Sequence, residues 1–160
     1  MIIYVDMDGV LCDFVRQVEK VHGFKINNWS RMQPADRWVK IREYGKFWSD
    51  MPWYPGSKQM WSYIQKHDVK ILSAFVRETH DPNCKKGKLA WIQKNLGLPS
   101  SKIHLVKRHQ KQDFARKGKK QNVLIDDFPK NIKQFNDRGG VGIRFKSPQQ
   151  VISDLKKLGL

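Results

Sequence analysis

The chain has 160 residues, a hydrophobic share of 39% and a formal net charge of +16. That length suits one domain, able to bury about two-thirds of the surface its unfolded chain would expose. No apolar run reaches the roughly 18 residues that a membrane span needs, so no membrane association is expected. Asp6 and Asp8 interrupt any secretion-signal pattern, and the two cysteines, Cys12 and Cys84, make neither a disulfide framework nor a metal-ligand cluster. A reducing, cytoplasmic setting is the expectation.

In chain order, Ile2–Asp6 reads as a continuous apolar strand, and residues 13–22 as a helix with Phe14, Val18 and Val21 on one face. From Phe24 to Asp50 the periodicity fails in a Trp- and Arg-rich stretch, with one helix expected over 35–44. "PWYPG" marks a turn, residues 57–66 a helix, and Val69–Ser73 a second strand. A helix follows from about Lys85 to Asn95, stopped by Gly97. "IHLV", "NVLID" and "VGIRF" are three further strands, with helices expected around 130–137 and 148–158. Apolar strands alternating with amphipathic helices predict an α/β fold, a parallel sheet with helices on both faces. The irregular stretch from about 24 to 55 is too long for a tight connection and reads as an insertion over the sheet's end.

Ligands of open parallel sheets bind beyond the carboxyl ends of the strands. There the sequence puts Asp6 and Asp8, Ser73, and the Asp126–Asp127 pair, with Lys88 early in the helix after Ser73. Converging carboxylates repel and raise one another's pKa values unless a cation intervenes. Mg²⁺ is the hard ion normally held by a few carboxylates, water and phosphate oxygens. The set suits phosphoryl transfer, with Asp6 attacking phosphorus and Asp8 shuttling the proton. Ser73 and Lys88 would hold the phosphoryl oxygens as charge shifts.

Each part has a plainer reading. Asp-Xaa-Asp-Gly also occurs in calcium loops, but those want a preceding helix, and here a strand precedes. Asp126–Asp127 before Phe128–Pro129 could simply start a helix, Ser73 could be an ordinary polar strand end, and Lys88 a solvated lysine. Their order and placement together favour the site. The basic segment 107–120, with Lys107, Arg108, Lys111, Arg116, Lys117, Lys119 and Lys120 opposed only by Asp113, reads as a solvated face or as a landing surface for nucleic acid or phosphorylated small molecules.

"VDMDGVL", "KILSA" and "VLIDD" resemble the first, second and fourth motifs of the haloacid dehalogenase (HAD) superfamily of phosphohydrolases. "GKLAWIQKNLG" and "FWSDMPWYPGS" are similar to segments of its 5'(3')-deoxyribonucleotidases, and the first points to Lys88 as the third-motif lysine. The resemblance implies a single HAD-like domain over 1–160, a Rossmann-like core with a small helical cap inserted at about 14–55. It implies that Asp6 is nucleophile and Mg²⁺ ligand, that Asp8 is acid/base and lends its backbone carbonyl to the metal, and that Asp126 and Asp127 complete the metal site. Ser73 and Lys88 would bind phosphate. Phe47 and Trp48 become candidates for stacking on a nucleobase, or else cap core, and Arg77 lies in a loop on the substrate side. Ala74 departs from the hydroxyl usual there.

The expected activity is Mg²⁺-dependent hydrolysis of a nucleoside monophosphate, a 5'-nucleotidase-like reaction through an aspartyl-phosphate. Its rivals are a phosphatase of DNA or RNA ends and a non-catalytic nucleic-acid-binding module.

Overall fold

The computed structural model describes all of residues 1–160. Five parallel strands, β1 (Ile3–Val5), β2 (Val69–Ala74), β3 (Ile103–Val106), β6 (Val123–Asp126) and β7 (Val141–Arg144), form one sheet in the order β3-β2-β1-β6-β7. β4 (Arg116–Lys117) and β5 (Lys120–Gln121) form a separate antiparallel hairpin. The helices are α1 (Phe14–His22), α2 (Ile26–Arg31), α3 (Pro34–Arg37), α4 (Val39–Tyr44), α5 (Ser57–Ile64), α6 (Cys84–Leu96), α7 (Pro129–Asp137) and α8 (Pro148–Lys157). A 3-10 helix covers Arg108–Phe114. None is long and apolar enough to cross a membrane.

The α/β fold expected from the alternating pattern is present, and its register explains the site. β1 lies between β2 and β6, with Val5 level with Ile71 and with Ile125. The next residue on each side, Asp6 and Asp126, therefore ends its strand at the same height. Strands buried on both faces read as unbroken apolar runs. Accordingly, Ile2, Tyr4, Leu72 and Leu124 pack with Phe135 of α7 on one face, while the alternate residues Ile3, Val5, Ile71 and Ile125 are fully buried on the other.

The chain divides into two compact units: Met1–Cys12, Trp53–Ala74 and Ser100–Leu160 make the first, which holds the sheet, and Asp13–Pro52 with Phe75–Pro99 make the second. The second unit is helical. Asp13 caps α1 by accepting from the Arg16 N–H at 3.0 Å, and Gly97 ends α6 in the left-handed conformation, φ +61°. The single helix expected over 35–44 is broken at Trp38 into α3 and α4. The break matches packing: the Trp38 ring meets Trp29 edge-on at 5.4 Å and stacks on Trp48 at 6.1 Å, contacts that outweigh propensity in so short a segment.

Candidate active site

The site is built at the carboxyl ends of β1 and β6. Beyond β1, the N–H groups of Val10, Leu11 and Cys12 all point to the Met7 carbonyl, at 2.8–3.1 Å, and wind the Asp-Met-Asp-Gly stretch into a tight turn. Gly9 has φ +74°, and a Cβ there would lie 2.3 Å from Asp127 Oδ2. Only glycine supplies both the conformation and the space. The glycine of the first motif thus makes room for a carboxylate of the fourth.

One oxygen each from Asp6, Asp126 and Asp127 lies within 4.8 Å of the others. Into this trio reaches Lys111, whose Nζ donates to Asp6 Oδ2 at 2.8 Å and to Asp126 Oδ2 at 2.6 Å. The lysine is 1% exposed. Burial alone would strip its proton, but the two carboxylates outweigh that and hold its pKa above the ordinary value. Lys111 therefore does not belong to the solvated face that the composition of segment 107–120 suggests. The 3-10 helix following β3 carries it inward.

Asp126 is the most committed member. Oδ1 accepts the Phe128 N–H at 2.9 Å, and the Asn131 amide on the first turn of α7 donates to both oxygens, at 3.1 and 2.9 Å. Burial and the Asp6 charge still raise its pKa, against the pull of Lys111. Asp127 is different. It is exposed, accepts no hydrogen bond from the chain, and its carboxyl is pushed up to about 7 by desolvation first and then by Asp6, Asp126 and Asp8. Three carboxylates and one ammonium leave an excess of negative charge on hard oxygen donors. This donor set fits a divalent cation such as Mg²⁺.

Residues 1–156 match the profile of the family described as "5' nucleotidase, deoxy (Pyrimidine), cytosolic type C protein". The chain belongs to this family. It is a HAD-type phosphatase of the 5'-nucleotidase kind. A relative in Vibrio phage KVP40, named "Putative 5'(3')-deoxyribonucleotidase", is 27% identical over 131 residues, which cover 81% of this chain and 68% of the relative. Among solved structures, the L-2-haloacid dehalogenase of Xanthobacter autotrophicus shares the fold with a TM-score of 0.58, 13% identity, and coverage of 98% of this chain and 82% of that one. A HAD family enzyme of Bacteroides thetaiotaomicron, solved with magnesium and inorganic phosphate, gives 0.51, 16% identity, and coverage of 91% and 93%.

The other residues singled out in this nucleotidase from its sequence divide between the two units. Asp8 is half-buried on the turn after β1; its side chain is outside the trio, yet close enough to raise the Asp127 pKa. Ser73 is fully buried near the carboxyl end of β2, paired in register with Leu105. Lys88, Phe47, Trp48 and Arg77 belong to the second unit. There Lys88 is fully buried, its Nζ 5.2 Å from the Trp48 ring centroid. Phe47 and Trp48 are buried side by side at 4.9 Å, and Trp48 Nε1 donates to Asp81 Oδ2 at 2.6 Å. Arg77 is exposed.

Lys111, Asn131 and Asp81 were missed. For Lys111 a signal existed: the strand-end rule, applied to Ile103–Val106 as it was to the other strands, brings the residues after Val106 to the site. For Asn131 the signal was its place on the first turn of the helix that Pro129 opens, just past the aspartate pair.

Proposed function

We propose that the chain hydrolyses a nucleoside monophosphate in a Mg²⁺-dependent reaction through an aspartyl-phosphate on Asp6. The observation that carries this reading is the convergence of Asp6, Asp126 and Asp127 oxygens within 4.8 Å of one another, two of these aspartates being held by the Lys111 ammonium.

Asp6 and Asp127 would hold the metal with the Asp8 carbonyl, and Asp126 completes the acidic set from behind through its grip on Lys111. Mg²⁺ there would supply positive charge to screen the phosphate from the carboxylates and polarise phosphorus. The protein's own steps are these. Lys111 pins one Asp6 oxygen and so orients the carboxylate. A carboxylate oxygen of Asp6 forms a bond to phosphorus as the ester P–O bond breaks, and the Asp8 carboxyl gives its proton to the leaving oxygen. Asp8, now ionised, takes a proton from water as that water attacks phosphorus, releasing phosphate and the Asp6 carboxylate. Ser73 and Lys88 are assigned to the phosphoryl oxygens, and the aromatic set of Phe47 and Trp48, with Arg77, to the nucleoside.

Phosphate release from a panel of nucleoside monophosphates, with Mg²⁺ and with chelator, tests the reading. Metal-dependent turnover that Asp6→Asn abolishes, with an unchanged circular dichroism spectrum, is expected. Turnover retained in Asp6→Asn would refute the nucleophile.

A further inference from the structure

The first unit carries a run of exposed cations that a small phosphate ester does not need, and the run begins at the site. Phe128, next after Asp127, is 39% exposed, and the Arg108 guanidinium lies over its ring, 4.5 Å from the centroid. Arg108 opens the 3-10 helix that delivers Lys111 to the carboxylates. That helix packs along α7, where Arg138 Nε donates to Gln112 Oε1 at 3.4 Å. Past Ala115 the chain enters the β4–β5 hairpin, which Gln121 Nε2 ties to the far end of α7 by donating to the Gly139 carbonyl at 2.9 Å. Arg116, Lys117, Lys119 and Lys120 are all exposed on it. The nine residues of α7 separate the two ends of this track by roughly 13 Å.

The hairpin is poorly built for its own sake. Lys117 and Lys120 face each other across the ladder, like charges opposite one another weaken a strand pair, and a lone two-stranded ribbon is marginal already. A polyanion lying on it turns that repulsion into attraction. At the other end, an exposed aromatic ring under a guanidinium is a stacking platform for an unpaired base, flanked by a charge for its backbone. A mononucleotide bound at the carboxylates is too short to reach the hairpin. A single strand would use both ends of the track, stacking a base on the ring and laying its phosphates along the cations.

We propose that this surface binds a single-stranded polynucleotide whose terminal phosphomonoester enters the carboxylate site. The strand crosses Phe128 and Arg108 and follows α7 to the hairpin. The inference rests on the phosphomonoesterase reading and extends its substrates from the nucleoside monophosphate to the phosphorylated end of a polynucleotide.

The test compares kcat/KM for thymidine monophosphate with that for phosphate-terminated oligothymidylates of up to about ten residues. The 3' and 5' phosphates are assayed separately, at salt between about 50 and 200 mM. Wild type is expected to gain roughly tenfold or more with length, for at least one end, and to lose the gain at the higher salt. The triple variant Lys117→Gln, Lys119→Gln, Lys120→Gln should keep mononucleotide turnover and lose the length gain. In fluorescence anisotropy with a labelled oligomer, its log–log salt slope should fall by about 2, at about 0.7 per cation removed. Mononucleotide turnover without a length effect would overturn this inference and leave the phosphatase reading standing. Hydrolysis of no ester at all would instead refute that reading, and anisotropy would then decide the binding surface alone. Equal binding by wild type and triple variant, or equal competition by polyglutamate, would overturn it.

Discussion

Asp126 and Asp127 are adjacent in sequence but stand in opposite halves of the acidic cluster. The inner half, Asp6 and Asp126, is closed by Lys111, by the Asn131 amide and by the Phe128 N–H, so the protein itself supplies it with a cation and with hydrogen-bond donors. In the outer half, Asp127 is exposed and accepts no hydrogen bond from the chain, and its carboxyl is pushed up to about 7. The difference teaches a division of labour. Charges deep in a fold must be paired within the fold, because an uncompensated buried charge is costly, whereas a surface carboxylate can leave its partner to be supplied from outside. In the proposed reaction the inner half would be framework for the nucleophile and the outer half the open ligand.

The strongest way to break that division is to remove the inner cation. Lys111→Met keeps length and apolar bulk but leaves Asp6 and Asp126 buried against each other. A destabilisation of about 3–5 kcal/mol is expected, read as a lowered midpoint in urea unfolding at neutral pH, together with a loss of phosphate release of at least about a hundredfold. A variant as stable as wild type would show that the inner half does not depend on its lysine. Lys111→Arg retains charge and should recover part of the stability while restoring little turnover, since a planar guanidinium cannot replace a point charge held 2.8 and 2.6 Å from two carboxylates.

A smaller perturbation acts on the outer half through the backbone. Gly9→Ala forces a left-handed alanine, costing about 1–2 kcal/mol, and sets a Cβ where Asp127 Oδ2 now lies. The melting temperature should fall by several degrees, and the Mg²⁺ concentration giving half-maximal turnover should rise about tenfold or more. An unchanged Mg²⁺ requirement would mean that Asp127 is not a ligand.

How much of this was legible differs between the halves for a physical reason. Asp6, Asp126 and Asp127 could be placed from sequence because each follows an apolar strand, and parallel register forces neighbouring strand ends to one level. The stop at Gly97 was legible because it is a local backbone effect. Lys111 was not. Its composition matches that of Lys117, Lys119 and Lys120 a few residues on, and only contacts with carboxylates far away in the chain decide that it is buried and they are not. The break at Trp38 failed for the same reason, since Trp29 and Trp48 hold it. So did the joining of Phe75–Pro99 to the helical second unit, which no local pattern announces.

The smallest expected effect has the opposite sign and isolates the outer half. Desolvation and the neighbouring carboxylates push the Asp127 carboxyl up to about 7 in the fold, from an ordinary value of about 4 in the unfolded chain. Between those values the folded state binds the extra proton, so metal-free stability falls as pH rises from about 4 to 7 and then levels off. Asp127→Asn mimics the protonated form and removes that loss. In chelator its melting temperature should exceed that of wild type by a margin that grows from pH 5 to pH 8, reaching only a few degrees because solvent screens an exposed carboxylate. Saturating Mg²⁺ should erase or invert the margin, since it stabilises only the chain that retains the ligand. A margin independent of both pH and Mg²⁺ would mean that Asp127 is no more strained than any surface aspartate, and the contrast between the two halves would collapse.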